Sequence, residues 1–494
     1  MSVPQFSTRH PDQQARLIPF AGGLLGDKVG WKWIVEVAKA KLRSGLVRVG
    51  HGKEASGRSY SWPRPLLSSF SCNLGLMLGC VLGFGLGAAH ACPSAVFLHE
   101  VPRLAGGQRQ GLRLFALRPV AAGRQVWEQV PLQLDPLTPE GRLIFDAGAD
   151  LSHFNHQASD LLTFQSEDFG RPMDPNTPPL PCSIGAIYEV STAAGVAYLT
   201  SCAATVNSAP VRYPTRVTFD REHHTLQSGF YRYRFNPDNY MQFASIAFPG
   251  ARGDWDEVAR DSRLLIHADI KNFFTMRFDS RQIVSRLEAS RLGPIANLAR
   301  LSFFLRILLF KIRMSLATDV GFFVDSAHIP MQVDLPVNAY ERLNSGSGIL
   351  YSWHLASAAV VATKTMRMPR LDPTLVHMGF KDLAKLGLSY CQGESCLFNY
   401  TVDFHGQQLS MAMDLRRSLV ERGFFPMFVE DTHKPSAAMG WGLEAEEEAQ
   451  RIGMYFEVSG LPEGGHPWDF WLRLGAPDQG KPSCPQVVAL RLIK

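Results

Sequence analysis

The chain has 494 residues, of which 46% are hydrophobic and 19% are charged, so it can bury sizeable cores and is neither wholly disordered nor collagen-like. Its formal net charge of +5 comes from the first 91 residues, which hold 11 Lys and Arg against 4 Asp and Glu and leave 39 against 41 for the remainder. A slightly acidic body lacks the basic face that phosphate binding requires, which argues against nucleic acid as a partner.

An apolar run near the N-terminus predicts export. Leu74–Leu86 is uncharged, has the length of a signal-peptide hydrophobic region, and is followed by the small-x-small site Ala89-His90-Ala91. We therefore expect residues 1–91 to form a leader with a signal peptide, and the mature protein to begin at Cys92 in the cell envelope or outside the cell. Two alternatives stay open: an uncleaved anchor, because glycines recur every four residues from Gly75 to Gly87, and a lipid on Cys92. Membrane contact is expected only through these segments.

Cysteine usage agrees with an oxidising compartment. Cys391 and Cys396 enclose four residues with a central glycine, which suits a small disulfide loop between strands. Cys182 and Cys202 are predicted to form a second bridge. No second close pair and no nearby histidine would complete four metal ligands, so the sequence predicts no metal site and no cofactor.

Most of the remaining sequence is typical of β structure. From Leu112 to Val211, short apolar stretches are separated by Pro, Gly and Asp. Further along, Gly229–Phe235 and Tyr240–Phe248 are rich in aromatic and β-branched residues. We predict a mainly β fold, an antiparallel β-sandwich or super-sandwich with a few peripheral helices. The predicted domains are an N-terminal β-rich domain over 92–210 and a large β-sandwich domain over 211–494.

Three segments have features of helices, and one of them also has features of strands. Ile295–Phe323 fits a helix by its length, but the strict alternation of Lys311–Leu316 favours two long strands. Leu409–Arg422 has Leu and Met at helical spacing before Gly423, which predicts a helix. Gly442–Arg451 carries four glutamates and is predicted to present a solvated helical face.

One polar segment is a candidate for catalysis. The sequence has no Walker loop, no dinucleotide-binding glycine motif, no nucleophile elbow and no zincin motif. In a strand, however, His267, Asp269 and Lys271 would share one face, so an acid, a base and a cation could meet one substrate and abstract a proton beside a carboxylate. A solvated sheet face is the alternative interpretation.

Tryptophans near the C-terminus are candidates for substrate binding. Trp441, Trp468 and Trp471 lie near glycines, where indole rings could stack on sugars, and packing in the core is the alternative.

The segment Glu288–Ile295, followed by long strands and Asp334–Val337, resembles the strand, Gly-Pro turn and strand pattern of β-super-sandwich domains in secreted polysaccharide lyases and related sugar-processing proteins. The resemblance implies two packed antiparallel sheets and polysaccharide as a partner. It favours an exported protein that binds or processes carbohydrate, with polysaccharide lyase as one enzyme class. A non-enzymatic envelope structural or interaction protein, with or without a lipid anchor, is the alternative function.

Overall fold

The computed structural model describes residues 94–104, 111–120, 124–138, 142–145, 160–165, 168–182, 185–192, 195–202, 216–307, 310–335, 338–356, 363–371, 375, 378–404, 407–430, 451–474 and 488–493. The predicted leader, its cleavage site and Cys92 lie outside these residues. Among the helices in these ranges, none has the length and apolar character needed to cross a membrane.

The described residues consist mainly of strands. In chain order the strands are β1 (Ser94–Phe97), β2 (Leu112–Pro119), β3 (Gln125–Val130), β4 (Gln133–Asp135), β5 (Leu161–Phe164), β6 (Ile187–Thr192), β7 (Gly195–Ser201), β8 (Thr218–Asp220), β9 (Thr225–Gln227), β10 (Arg232–Asn236), β11 (Asn239–Pro249), β12 (Trp255–Asp269), β13 (Thr275–Asp279), β14 (Ile283–Leu292), β15 (Asn297–Ile307), β16 (Phe310–Phe322), β17 (Ser326–Leu335), β18 (Gly348–Leu355), β19 (Thr363–Arg367), β20 (Cys391–Gln392), β21 (Ser395–Phe404), β22 (Gln407–Arg416), β23 (Pro426–Glu430), β24 (Arg451–Glu457), β25 (Gly464–Leu474) and β26 (Ala489–Leu492). The α-helices in the same ranges are α1 (Ala339–Arg342), α2 (Phe380–Leu388) and α3 (Arg417–Val420).

The strands form four sheets. A three-stranded sheet has the order β1-β5-β4, and a five-stranded sheet has the order β26-β6-β7-β2-β3. Sheet I, with nine strands, has the order β23-β24-β18-β12-β11-β10-β9-β8, and β13 also pairs with β12. Sheet II, also with nine strands, has the order β14-β15-β16-β17-β25-β22-β21-β19, and β20 also pairs with β21.

Sheets I and II pack face to face through aromatic side chains. The ring of Tyr233 on β10 lies 5.5 Å from that of Phe322 on β16, and Tyr400 on β21 stacks on Phe428 of β23 at 4.6 Å. These pairs join opposite parts of the two sheets, as the interdigitating inner faces of a sandwich do. The predicted mainly β, antiparallel sandwich is therefore confirmed.

Two segments with alternating residues form strands, and a helix was predicted for one of them. Ile295–Phe323 forms β15 and β16, so the prediction of two strands is confirmed. The helix predicted over Leu409–Arg422 is wrong, because β22 occupies Gln407–Arg416 and only α3 is helical. Leu409 and Met413 have helical spacing, but every second residue from Leu409 to Leu415 is buried, which is the period of a strand. Residues 442–450 of the predicted acidic helix lie outside the described residues.

The Gly-Pro turn between β14 and β15 is covered by a side chain of the three-stranded sheet. Oε1 of Gln133 on β4 accepts hydrogen bonds from the backbone N–H groups of Ile295 (3.1 Å) and Ala296 (2.8 Å). A Cβ at Gly293 would lie 2.1 Å from the same oxygen. The amide of Gln133 thus occupies the space that a side chain at Gly293 would take.

The five-stranded sheet contains the last described strand. β26 pairs with β6 in the register Ala489 to Ser191 and Leu492 to Tyr188. A segment near residue 490 thereby completes a sheet whose other strands lie within residues 112–201. The predicted division of the chain near residue 211 stays a prediction.

Candidate functional site

The three predicted catalytic residues do not share one strand face. His267 and Asp269 are alternate residues at the end of β12, whereas Lys271 lies in the turn that follows it. The Asp269 carboxylate accepts hydrogen bonds from Asn344 Nδ2 (3.0 Å) and Thr275 Oγ1 (3.2 Å). Lys271 Nζ donates to the backbone carbonyl of Tyr340 at 2.6 Å. The strand face therefore carries two of the three groups, and their catalytic role stays a prediction.

His267 belongs to a row of residues that crosses three strands of sheet I. Gly348 on β18 is directly opposite His267 on one side and Glu457 of β24 on the other. Directly paired residues of neighbouring strands point to the same face. A Cβ at Gly348 would lie 2.3 Å from the ring of Tyr455, so this ring takes the place of a side chain there.

Glu457 is the acid of this row, and it is deeply buried. It is 1% exposed, and its carboxyl accepts hydrogen bonds from Tyr455 Oη (2.5 Å), Gly346 N–H (3.0 Å) and Ser459 N–H (3.3 Å). Burial raises the pKa of Glu457 to about 7 against the opposing effect of these hydrogen bonds. Burial, and next the charge of Glu457, raise the pKa of Tyr455 well above its usual range.

His267, at the other end of the row, has a pKa below its usual value. Burial, and next the charge of Arg277, lower the pKa of His267 to about 4, although the charge of Asp269 partly offsets both. With His267 6% and Glu457 1% exposed, neither side chain presents itself to a polymer at the surface. The row is therefore not an open site for a polysaccharide.

The described tryptophans of the predicted sugar-binding set are buried. Trp468 is 7% exposed and packs edge-on against Phe424 at 5.0 Å. Trp471 is 5% exposed, stacks on His328 at 4.0 Å, and lies in the core between the three-stranded sheet and sheet II. Trp441 lies outside the described residues. Sugar stacking needs an exposed ring face, so the substrate-binding role of these residues stays a prediction.

The structure joins Cys182 to Cys202 and Cys391 to Cys396, the two pairs named from their spacing. The second pair connects β20 to β21, where the two cysteines are directly opposite in the ladder. Both bridges have a structural place in the fold. In the described part of the chain, no three His, Cys, Asp or Glu side chains converge to hold a metal ion.

A pair of aspartates on the outer face of sheet II was not found from the sequence. Asp414 on β22 lies directly opposite Asp469 on β25. Their chain neighbours Met413 and Phe470 line the space between the two sheets, so the alternation of strands places both carboxylates on the other face. The side chain of Asp469 is 37% exposed, which leaves the pair open to solvent.

The two carboxylates have different surroundings. Burial raises the pKa of Asp414; a hydrogen bond from Ser395 Oγ to Oδ1 (2.6 Å) opposes this shift, and the nearby charge of Asp469 adds to it. Asp469 Oδ1 lies 2.8 Å from Nε2 of His328, whose ring is held by its stack on Trp471. One carboxyl is thus biased toward its protonated form, while its neighbour has an imidazole partner. This difference suits a proton donor beside a carboxylate.

Polar groups continue along the same face. Arg416, two residues after Asp414, is exposed and pairs with Ser395 on β21. Asn399 on β21 pairs with Ala412, two residues before Asp414. Guanidinium, hydroxyl and amide groups are hydrogen-bonding partners for a polar ligand. The alternation of apolar and polar residues over 409–416 is the signal that would have revealed a strand with this outward face.

Comparisons with known proteins give no family. No family model and no curated protein matches the chain. Among solved structures, an α-mannosidase from Enterococcus faecalis V583 gives a TM-score of 0.35 at 7% identity over 87% of this chain and 48% of that one. A protein in glycosyl hydrolase family 38 from Enterococcus faecalis gives 0.31 at 5% identity, with 87% and 50% covered. The chain spans about half the length of these proteins, and likeness at these scores assigns no activity to it.

Proposed function

We propose that the protein is an exported carbohydrate-processing enzyme that hydrolyses a glycosidic bond at the Asp414 and Asp469 pair. The observation that carries this proposal is the direct cross-strand opposition of two carboxylates in unlike surroundings. Directly opposed residues have Cβ atoms about 4.5–5.5 Å apart. In each aspartate the carboxyl carbon is one bond beyond Cβ, so the two carboxyl groups of such a pair can reach the separation of about 5–5.5 Å that retaining glycosidases use. The two disulfides support the exported location, because such bonds persist in oxidising compartments.

In this proposal, Asp414 is the general acid and Asp469 the nucleophile. Asp414 donates its proton to the glycosidic oxygen as the bond from that oxygen to the anomeric carbon breaks, and Asp469 forms an ester with that carbon. Water then attacks the anomeric carbon and breaks its bond to the Asp469 carboxylate, while Asp414 takes a proton from that water, so the sugar leaves with retained configuration. His328 is a positioning residue, because its ring holds Asp469 and is itself held by Trp471.

The test is a screen of the purified protein against neutral and uronic-acid polysaccharides and aryl glycosides. New reducing ends report hydrolysis, and ultraviolet absorbance of unsaturated ends reports elimination. We expect hydrolysis, with Asp414→Asn and Asp469→Asn each reducing kcat by about 10²–10⁴-fold. Asp238→Asn, in the exposed turn between β10 and β11, is the matched control. Wild-type turnover in either site variant would overturn the assignment.

The same screen separates the alternatives. Unsaturated products that disappear in His267→Ala or Lys271→Ala would favour a polysaccharide lyase over the hydrolase. Tight binding without turnover would leave a carbohydrate-binding protein, and the absence of any glycan interaction would favour the envelope structural role.

A variant of the hydrogen-bond partner tests the protonation of Asp414. Ser395→Ala removes the hydrogen bond that lowers the pKa of Asp414, so the alkaline limb of the pH profile of kcat should move to higher pH. A profile unchanged by Ser395→Ala would show that Asp414 is not the proton donor.

A further inference from the structure

The interior of the sandwich contains a cavity that is separate from the carboxylate pair. Its volume is about 120 Å³, and it is lined by residues of both sheets I and II. Tyr233, Phe235 and Phe322 form an aromatic wall, with ring centroids 4.9–5.6 Å apart. Well-packed interiors contain few voids larger than a water molecule, so a space of this size is a distinct feature of the fold.

Three hydroxyl groups at the cavity have protein partners. Thr318 Oγ1 donates to the carbonyl of Pro330 at 3.2 Å, and Tyr240 Oη is hydrogen-bonded to His224 Nδ1. The hydroxyl of Tyr351 is hydrogen-bonded to Ser262. A buried water needs two to four polar partners. The hydroxyls of Thr318, Tyr240 and Tyr351 are therefore already engaged, and most of the remaining lining is hydrocarbon, aromatic ring and thioether.

Four methionines from both sheets line the same space. Met241 and Met454 belong to sheet I, and Met331 and Met413 belong to sheet II. Methionine side chains are unbranched and polarisable, so they adapt to the shape of a bound group and make favourable contacts with aromatic rings. The cavity thus has one rigid aromatic wall and several adaptable contacts.

We propose that this cavity is a binding site for a small uncharged apolar ligand, about the size of one aromatic ring. An engineered apolar cavity of about 150 Å³ in another protein stays dry and binds benzene, and the cavity described above is of similar volume and chemistry. The ligand enters with its apolar surface against rings and methionines and makes no hydrogen bond. This site is independent of the proposed glycoside hydrolysis.

The test uses benzene as the probe and ¹³C-methyl-methionine NMR as the measurement. On titration with benzene, the methyl signals of the four lining methionines should shift and saturate. Those of Met276 and Met427, which are buried outside the cavity, should stay unchanged. Phenol should bind at least about tenfold more weakly than benzene, because its hydroxyl would lose water without gaining a partner.

Cavity-filling variants provide the control on location. Val320→Phe and Ile349→Phe add a ring from opposite walls, so each should abolish the saturable shifts even if the other fails to fold. Ile493→Phe, at an exposed position, should leave them intact. The proposal would be overturned if the methyl signals of the lining methionines did not move at benzene saturation, or if all methionine signals shifted equally. Benzene binding that persists in either cavity-filled variant, once that variant is shown to fold, would also overturn it.

Discussion

Glu457 and His267 should make opposite contributions to the pH dependence of stability. The pKa of Glu457 is raised from 4.5 to about 7, so the folded state holds a proton that the unfolded state releases, and stability is lost as pH rises through this interval. The pKa of His267 is lowered from 6.5 to about 4, so stability is lost as pH falls from 6.5 to 4. The full effect of each pKa shift on the free energy of unfolding is about 3 kcal/mol, at about 1.4 kcal/mol per pH unit.

Between pH 4.5 and 6.5 the two slopes nearly cancel, because folding binds a proton at Glu457 and releases one at His267. Removing one partner should therefore uncover the other. Relative to wild type, the free energy of unfolding of Glu457→Gln should rise by about 1.4 kcal/mol per pH unit over this range, roughly 3 kcal/mol in total. His267→Gln should lose a similar amount over the same range.

Urea denaturation at pH 4.5, 5.5 and 6.5 measures the free energy of unfolding of wild type, both single variants and the double variant. The difference between each variant and wild type cancels the titration of every other group. The double variant should run parallel to wild type. Difference plots that are flat for both single variants, or that slope in the same direction, would refute the assignment of these two shifts to burial.

Two further predictions concern packing and covalent structure. Gly348→Ala should destabilise the protein by about 1–3 kcal/mol, because its Cβ would lie 2.3 Å from the ring of Tyr455. Urea denaturation measures this loss, with Gly229→Ala as the control because the space there is open. Equal destabilisation by the two substitutions would contradict the prediction. Removing the bridge of Cys182 to Cys202 should cost about 3 kcal/mol, roughly 1 kcal/mol more than removing the shorter loop at Cys391. The denaturation midpoints of the two double Cys→Ser variants measure that difference, and the reverse order would contradict the loop-length argument.

Local patterns in the sequence were enough for the fold class but less reliable for individual elements. Alternation over Lys311–Leu316 correctly favoured strands for β15 and β16. In β22, Leu409 and Met413 are four residues apart, a spacing that fits both a helix and a strand, and the predicted helix is wrong. The intervening Met411, buried in the same row, distinguishes the two, because a helix would turn it to another face.

The candidate site depends on contacts that no local pattern contains. Asp414 and Asp469 become neighbours because β22 pairs with β25, and Glu457 joins the row of His267 because β18 lies between their strands. Registers between distant strands are set by the burial of whole faces and by the intervening connections. The polar segment at His267 could be noticed in the sequence, but the burial of His267 and its place in one row with Glu457 could not.

The pairing of β26 with β6 sets a limit on the order in which the protein can acquire its structure. The paired strands are separated by about 300 residues, as in the Arg491 and Glu189 pair, which is 302 residues apart. At about 5–20 residues per second, a ribosome needs about 15–60 s to reach β26 after β6 has been made. Throughout that interval β6 has an open hydrogen-bonding edge of the kind that invites pairing with other chains. The five-stranded sheet is therefore a place where a nascent chain would benefit from chaperone protection until synthesis reaches its final strand.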